Sequence, residues 1–232
     1  MAFYDLHVHT NLSIGENSID EMVVFARRLG LAGLGIVRYA PSQEDIVRRD
    51  DFDLVDVLML KASKVDELAE MIAKARKKCE VLMVHGSDYD VNRAACENPM
   101  VDVLCHPELR RKDSGLDHIC VKAAADNEVA IEVNFREIAE LFGLHRVRVL
   151  SSLRKNIELC KKYEAPLIFA SSAVNKWGLR SGRELASLAY MLGLELPKAI
   201  DAASAVPHSL VSKNREKLEN RRWEGARIVG ER

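Results

Sequence analysis

No apolar run in this 232-residue sequence approaches the roughly 18 residues that a bilayer-spanning helix needs. The first ten residues, Met1 to Thr10, lack the basic-then-apolar order of a secretion signal, which points to a cytoplasmic chain. Cysteine is sparse and unpatterned: Cys79, Cys96, Cys105, Cys120 and Cys160 are five, an odd number with no C-x-x-C spacing. That excludes a disulfide framework or a zinc knuckle and fits small buried hydrophobes in a reducing compartment. No G-x-G-x-x-G follows the first apolar run, so the dinucleotide-binding fingerprint is missing. Linkers, internal repeats and low-complexity tracts are absent too. The chain therefore reads as one domain over residues 1–218, followed at 219–232 by a basic, polar tail with little periodicity.

Net charge is nearly absent as well. A value of −1 excludes a protein that coats nucleic acid through bulk charge. The average hides an uneven chain, however. Residues 1–60 carry 5 basic and 10 acidic side chains, residues 61–144 carry 12 and 16, and residues 145–232 carry 17 and 9.

What is present is alternation. With 48% apolar and 30% charged residues, the composition is that of an ordinary globular domain. Seven short apolar runs have strand length: Tyr4–Val8, Leu31–Val37, Asp56–Leu60, Val81–Val84, Val101–Cys105, Val129–Val133 and Pro166–Ala170. Several are rich in Val, Ile and Leu, as strands buried on both faces should be. Amphipathic helices separate them. Ser18 with Glu21, and Ser181 with Glu184, have capping-box spacing, and Gly30 and Gly193 follow the last apolar position of each helix. Ser63 is the expected cap of another helix, and Pro197 and Pro207 suit the first turns of two closing helices. Regular alternation implies parallel strands with right-handed crossovers, and the expected fold is a distorted TIM-like (β/α) barrel of about seven strands.

Polar residues recur where these strands end. In Asp5-Leu6-His7-Val8-His9-Thr10, residues two apart share a strand face, so His7 and His9 project together. His85 and His106 close the fourth and fifth runs, and Glu132 and Asn134 lie near the end of the sixth. Neutral imidazoles gathered at a barrel mouth suit a metal ion. The same histidines would equally serve as hydrogen-bond partners of neighbouring loops. His118, His145 and His208 fall in or at the start of helices, where surface or capping roles are the simpler expectation.

The Asp5–Thr10 motif, with His106-Pro107-Glu108 at a later strand, resembles the polymerase-and-histidinol-phosphatase superfamily of metal-dependent phosphoesterases. That likeness implies a seven-stranded barrel with two or three metals at its mouth. Those enzymes also use an Asp-x-His at the last strand, where this sequence reads Ser171-Ser172-Ala173-Val174-Asn175. The multi-metal clamp on attacking and leaving oxygens would then be incomplete. A longer series of motifs is similar to the component 3 family of archaeal ribonuclease P. It comprises Val84-His85-Gly86-Ser87-Asp88 with Asn92-Arg93, Val101 through Glu108, Gly115-Leu116-Asp117-His118, Ala130-Ile131-Glu132-Val133-Asn134, Ser171-Ser172-Ala173 leading to Leu179-Arg180-Ser181, Leu192-Gly193-Leu194, and Ser204-Ala205-Val206-Pro207. This second resemblance implies a non-catalytic subunit of an RNA enzyme that removes the 5′ leader of precursor tRNA. Mg²⁺ and the catalytic RNA would do the chemistry, and component 2 would be the protein partner in a heterotetramer of two copies each. No cofactor is then required by the chain itself, no catalytic residue is expected in it, and a metal held by His7, His9 and His106 would be a remnant.

RNA contact has its own candidates. Arg93, Arg110 and Arg111 follow the fourth and fifth strands, Lys176, Arg180 and Arg183 follow the seventh, and Lys122 lies on the helix after His106. At one end of a barrel they would face phosphate together with helix N-termini, although a highly charged chain also carries such clusters as plain solvated surface. Trp177, between Lys176 and Gly178, is an aromatic within this basic loop or else a half-buried lid residue, and the basic stretch Arg146–Lys162 reads as a solvated outer helix face. The competing function is a stand-alone phosphoesterase working through His7, His9, His106 and Glu132.

Overall fold

The computed structural model describes residues 1–39, 46, 49–219, 222–223 and 226–227. Seven parallel strands run in sequence order: β1 (Phe3–Val8), β2 (Leu31–Arg38), β3 (Asp53–Leu60), β4 (Val81–His85), β5 (Val103–Cys105), β6 (Ala130–Asn134) and β7 (Leu167–Ala170). Helices α1 (Ile19–Arg28), α2 (Val65–Ala75), α3 (Tyr89–Cys96) and α4 (His118–Asp126) pack outside them, followed by α5 (Phe135–Glu140) and α6 (Gly143–Tyr163). Three more, α7 (Gly182–Met191), α8 (Leu196–Asp201) and α9 (Ala205–Leu218), complete the barrel. The expected seven-stranded TIM-like fold is the one formed. Beyond α9, the pair β8 (Arg222–Trp223) and β9 (Ala226–Arg227) is antiparallel, and the rest of the 220–232 tail lies outside the described residues. No helix among the described residues is long and apolar enough to cross a membrane.

Two apolar layers hold the barrel. Leu6, Val37, Val57, Met83, Val103 and Ile168 fill its interior, and Val211 of α9, with Val206 and Leu210, closes the N-terminal end of the strands. Outward-facing Leu82, Leu104 and Ile131 meet Leu68 and Ile72 of α2, Val121 of α4, Leu153 and Ile157 of α6, and Leu185 of α7. Complete burial of such side chains contributes about 2 kcal/mol each, which is what fixes helices to strands here. Both capping boxes form as expected. Ser63 does not cap α2: the helix begins one residue later behind Lys64, and the Ser63 amide instead donates to Glu67 Oε2 at 2.8 Å.

The sheet is not closed by a regular ladder. Between β1 and β7 a single bridge joins Val8 to Ala173, and the His9 amide donates to the Ala173 carbonyl at 2.8 Å. Asp5, fully buried, completes the seam: its Oδ1 accepts from the Ser171 amide at 3.1 Å and the His7 amide at 3.3 Å. At the opposite end the linker before α9 fills the gap, with the Tyr4 amide donating to the Ala203 carbonyl and the Phe169 amide to that of Ala202.

Candidate functional site

Strand ends bring His7, His9, His85, His106 and Glu132 to the C-terminal mouth of the barrel, as their positions in the runs imply. His7 Nδ1 lies 2.9 and 3.0 Å from the two Glu132 oxygens, with both side chains fully buried. Burial lowers the His7 imidazole more than Glu132 raises it, whereas the Glu132 carboxyl, drawn up by burial, is brought below its usual value by His7. The pair is therefore a neutral imidazole donating from Nδ1 to a carboxylate, which leaves Nε2 as a lone pair turned inward. His9 Nε2 stands 3.1 Å from that atom, and its Nδ1 meets Ser13 Oγ at 3.1 Å. Burial and the adjacent His7 push His9 down to about 2, and burial and His106 push His85 down to about 4. All three rings stay uncharged at neutral pH.

The other half of the mouth hangs on His106, whose ring lies 5.3 Å from His7 and 4.9 Å from His85. His106 Nδ1 contacts Glu137 Oε1 at 2.6 Å. Glu137 is a partner that the strand pattern does not reveal, since it sits on α5. Its local signal is Asn134-x-x-Glu137: the Asn134 side chain caps α5 by accepting from the Glu137 amide, which fixes that glutamate in the first turn after β6. Glu108 lies beside it. Burial and the Glu137 carboxylate push Glu108 well above the usual carboxyl range, while Glu137, raised by burial, is lowered further by His106.

Strain marks the same rim. Ser87, His106, Arg110 and Ser172 are non-glycine residues with φ of 109°, 54°, 58° and 52°, all in loops at the C-terminal end of the strands. Such conformations cost about 1–3 kcal/mol each and persist only where surrounding bonds enforce them. The β5–α4 loop shows how. Asn92 Nδ2 donates to the Pro107 and Gly115 carbonyls at 3.0 and 2.9 Å, and Gly115, at φ 72°, lies so close to Pro107 that a Cβ would collide. His106 turns inward because this loop is pinned behind it.

Could the mouth hold metal? His7, Cys105 and His106 place one potential ligand atom each within 4.8 Å of one another. Burial pushes the Cys105 thiol well above its usual value. The imidazoles of His7 and His106 with the Cys105 sulfur suit one borderline-soft ion of the zinc type, not an oxygen-seeking Mg²⁺, while His9, 3.1 Å from His7, stands outside that group of three. The two residues after β7 are Ser171 and Ser172, which offer neither carboxylate nor imidazole where the multi-metal phosphoesterase pattern has an Asp-x-His.

The basic candidates fall into two groups. Arg93 ion-pairs with Glu97 at 2.8 Å, Arg111 forks onto Asp113 at 2.6 and 2.9 Å, and Lys176 reaches Glu21 at 3.2 Å. Arg180 lies 4.5 Å over the Phe135 ring and donates to the Trp177 and Leu179 carbonyls. By contrast Arg110, Lys122 and Arg183 are exposed and make no side-chain bond among the described residues. Arg93 and Lys122 sit in second helical turns, farther from the mouth than loop positions. Trp177 is 70% exposed, not half-buried as expected from a lid residue, and packs edge-on against Phe25. His208 lies within the first turn of α9 against Tyr4 and is not a cap.

A seven-stranded parallel barrel with histidines and carboxylates at its mouth defines the architectural class. Histidinol phosphate phosphatase from Lactococcus lactis, solved with zinc, L-histidinol and phosphate, has a similar fold at TM-score 0.51 and 11% identity, covering 91% of this chain and 93% of that one. The profile of ribonuclease P subunit p30 matches residues 2–219, and the chain belongs to that family. Ribonuclease P protein component 3 of Methanosarcina barkeri is 39% identical over 217 residues, which are 92% of this chain and 90% of the relative. In a cryo-EM structure of archaeal ribonuclease P with mature tRNA, one chain has the same fold at TM-score 0.78 and 24% identity, over 97% of this chain and 98% of that one.

Proposed function

We propose that this chain is a non-catalytic protein subunit of ribonuclease P, which supports RNA-catalysed removal of the 5′ leader from precursor tRNA by binding and stabilising the catalytic RNA. The family match along nearly the whole chain carries the proposal. The mouth supports the non-catalytic part: Ser171 and Ser172 stand where a multi-metal phosphoesterase needs ligands. RNA contacts are assigned to Arg110, Lys122 and Arg183, whose side chains no described residue bonds, with Arg93, Arg111, Lys176 and Arg180 as cations already held in place. Component 2 is the protein partner, in a heterotetramer of two copies each, and the assembly works in the cytoplasm. Mg²⁺ serves the RNA of the holoenzyme. A single zinc-type ion held by His7, His9 and His106 would brace the mouth without taking part in cleavage.

Reconstitution tests this reading. The catalytic RNA and the remaining proteins, with and without this chain, are assayed on precursor tRNA at low Mg²⁺. Faster cleavage with the chain is expected, and no change on adding it overturns the assignment. The double substitution His7→Ala with His9→Ala should leave reconstituted cleavage within about twofold while abolishing zinc retained after dialysis; loss of cleavage by a folded variant would move the function into the mouth.

A further inference from the structure

The charged face of α6 looks from its periodicity like plain solvated surface, but its first turns border a groove of about 500 Å³ on the outside of the mouth. One wall is the β5–α4 loop, with Arg110, Arg111 and Lys112; the other is α6, with His145 and Arg148. Arg111 is anchored, because besides Asp113 it donates to the Ser87 carbonyl at 3.0 Å. Arg110, Lys112, His145 and Arg148 are exposed, and no described residue bonds their side chains. The acids at the bottom, Glu108 and Glu137, are buried against His106 and do not reach these cations.

We infer that this groove is a seat for the phosphodiester backbone of single-stranded RNA, with Phe142 at its edge as the stacking surface for an adjoining base; the inference rests on the ribonuclease P reading above. Three observations carry it: the first two call for an anionic chain, and the third favours one with bases over an acidic protein segment. Guanidinium forks on both walls match phosphate oxygens in pairs. The 21-residue helix α6 starts at the groove behind Phe142 with no side-chain cap and no acid in its first turn, so its leading amides lack side-chain acceptors. Arg146 holds the corner in place by donating to the Ala139 and Leu141 carbonyls. Finally, Phe142 is 80% exposed beside the exposed imidazole of His145, two flat rings that a carboxylate-bearing peptide does not need and a base does.

The experiment is equilibrium binding of the full-length chain to the cognate ribonuclease P RNA transcript over a range of salt. Arg110→Ala with Arg148→Ala should weaken binding at least tenfold at about 0.15 M salt and flatten the log–log salt slope by about 1.5. Phe142→Ala should weaken it about fivefold with the slope unchanged, since stacking releases no counterions. The pair Arg154→Ala with Lys155→Ala, on the same helix but outside the groove lining, should stay within about twofold of wild type. Equal loss in both arginine-containing double variants overturns the groove as a specific seat. Wild-type RNA binding by the groove variant, with loss of the partner protein, overturns it in favour of a protein-docking site. A wild-type chain that binds no RNA defeats the subunit reading itself, so the two failures are distinct.

Discussion

The two ends of the barrel carry similar charge and use it in opposite ways. At the N-terminal end three cations, Arg215, Arg76 and Lys213, are spent internally. Arg215 of α9 forks onto Asp53 at 2.7 and 3.1 Å and onto Glu80 at 2.8 Å, Arg76 pairs with Asp102, and Lys213 pairs with Glu128 at 3.0 Å. The bonds of Arg215 and Lys213 tie the last helix to acids from the first two thirds of the chain, so part of the sequence asymmetry cancels on folding. At the mouth, Arg110, Lys112, Arg148 and Arg183 project with no acid partner among the described residues, above a buried layer of histidines and carboxyls. Charge that closes the bottom contributes to stability, and charge left open at the top is available to a ligand.

Substitutions separate the two uses. Arg215→Ala should have the largest effect on folding, a loss of about 3 kcal/mol in urea melts, because it removes the cation that faces both Asp53 and Glu80. RNA affinity of the folded fraction should not move beyond about twofold. Burial alone would raise Asp53, but Arg215 and Tyr4 hold it below the usual carboxyl value. That contribution is therefore present in full above the unfolded pKa, and the gap between Arg215→Ala and wild type should shrink as pH falls through the depressed value.

Acidification of the metal-free protein probes the mouth instead. His7, His9 and His85 have lowered folded-state values, so each contributes stability above pH 6.5 that is lost below it, at about 1.4 kcal/mol per pH unit. Burial raises Asp5 to about 7, and Glu108 is also raised, so these two gain stability as pH falls toward the ordinary carboxyl range. The lowered histidines outnumber the raised carboxyls, so urea melts should show a net loss of stability between pH 6.5 and 5. Ring NMR shifts of His9 and His85 should remain those of neutral imidazole at pH 5. Charged rings there would remove the mouth from the comparison.

Smaller effects complete the contrast. Ser181→Ala breaks the capping box of α7 and should cost about 1 kcal/mol. Arg183→Ala, in the same first turn, should change stability by less than about 0.5 kcal/mol yet weaken RNA binding about threefold and reduce the salt slope by about one. A stability loss larger than that of Ser181→Ala would place Arg183 among the structural cations.

Strand number, order and both capping boxes were readable because period, caps and glycine stops are local signals. The first residues of β3 were not, since Asp53 and Asp56 interrupt its apolar pattern; their carboxyls are there for Arg215 and Arg38, the latter at 2.7 Å from Asp56. The histidines of the mouth follow from strand alternation alone. Glu137 and the groove do not, because they depend on how α5 and α6 turn against a loop some thirty residues away in sequence, as the separation of 31 between His106 and Glu137 shows. Periodicity tells that Arg148 points outward. It does not tell what it points beside.

The seam at Asp5 has a kinetic consequence. Its bond to the Ser171 amide joins residues 166 apart, so the loop it closes is almost the whole domain. Contacts of that separation carry the largest closure entropy and form after the neighbouring-strand pairs β1–β2 through β6–β7 are in place. The ring is thus a sheet first and a barrel last. Asp5→Asn should accordingly speed unfolding while leaving the folding rate nearly unchanged, and the barrel should open along this line before any of its strands separate.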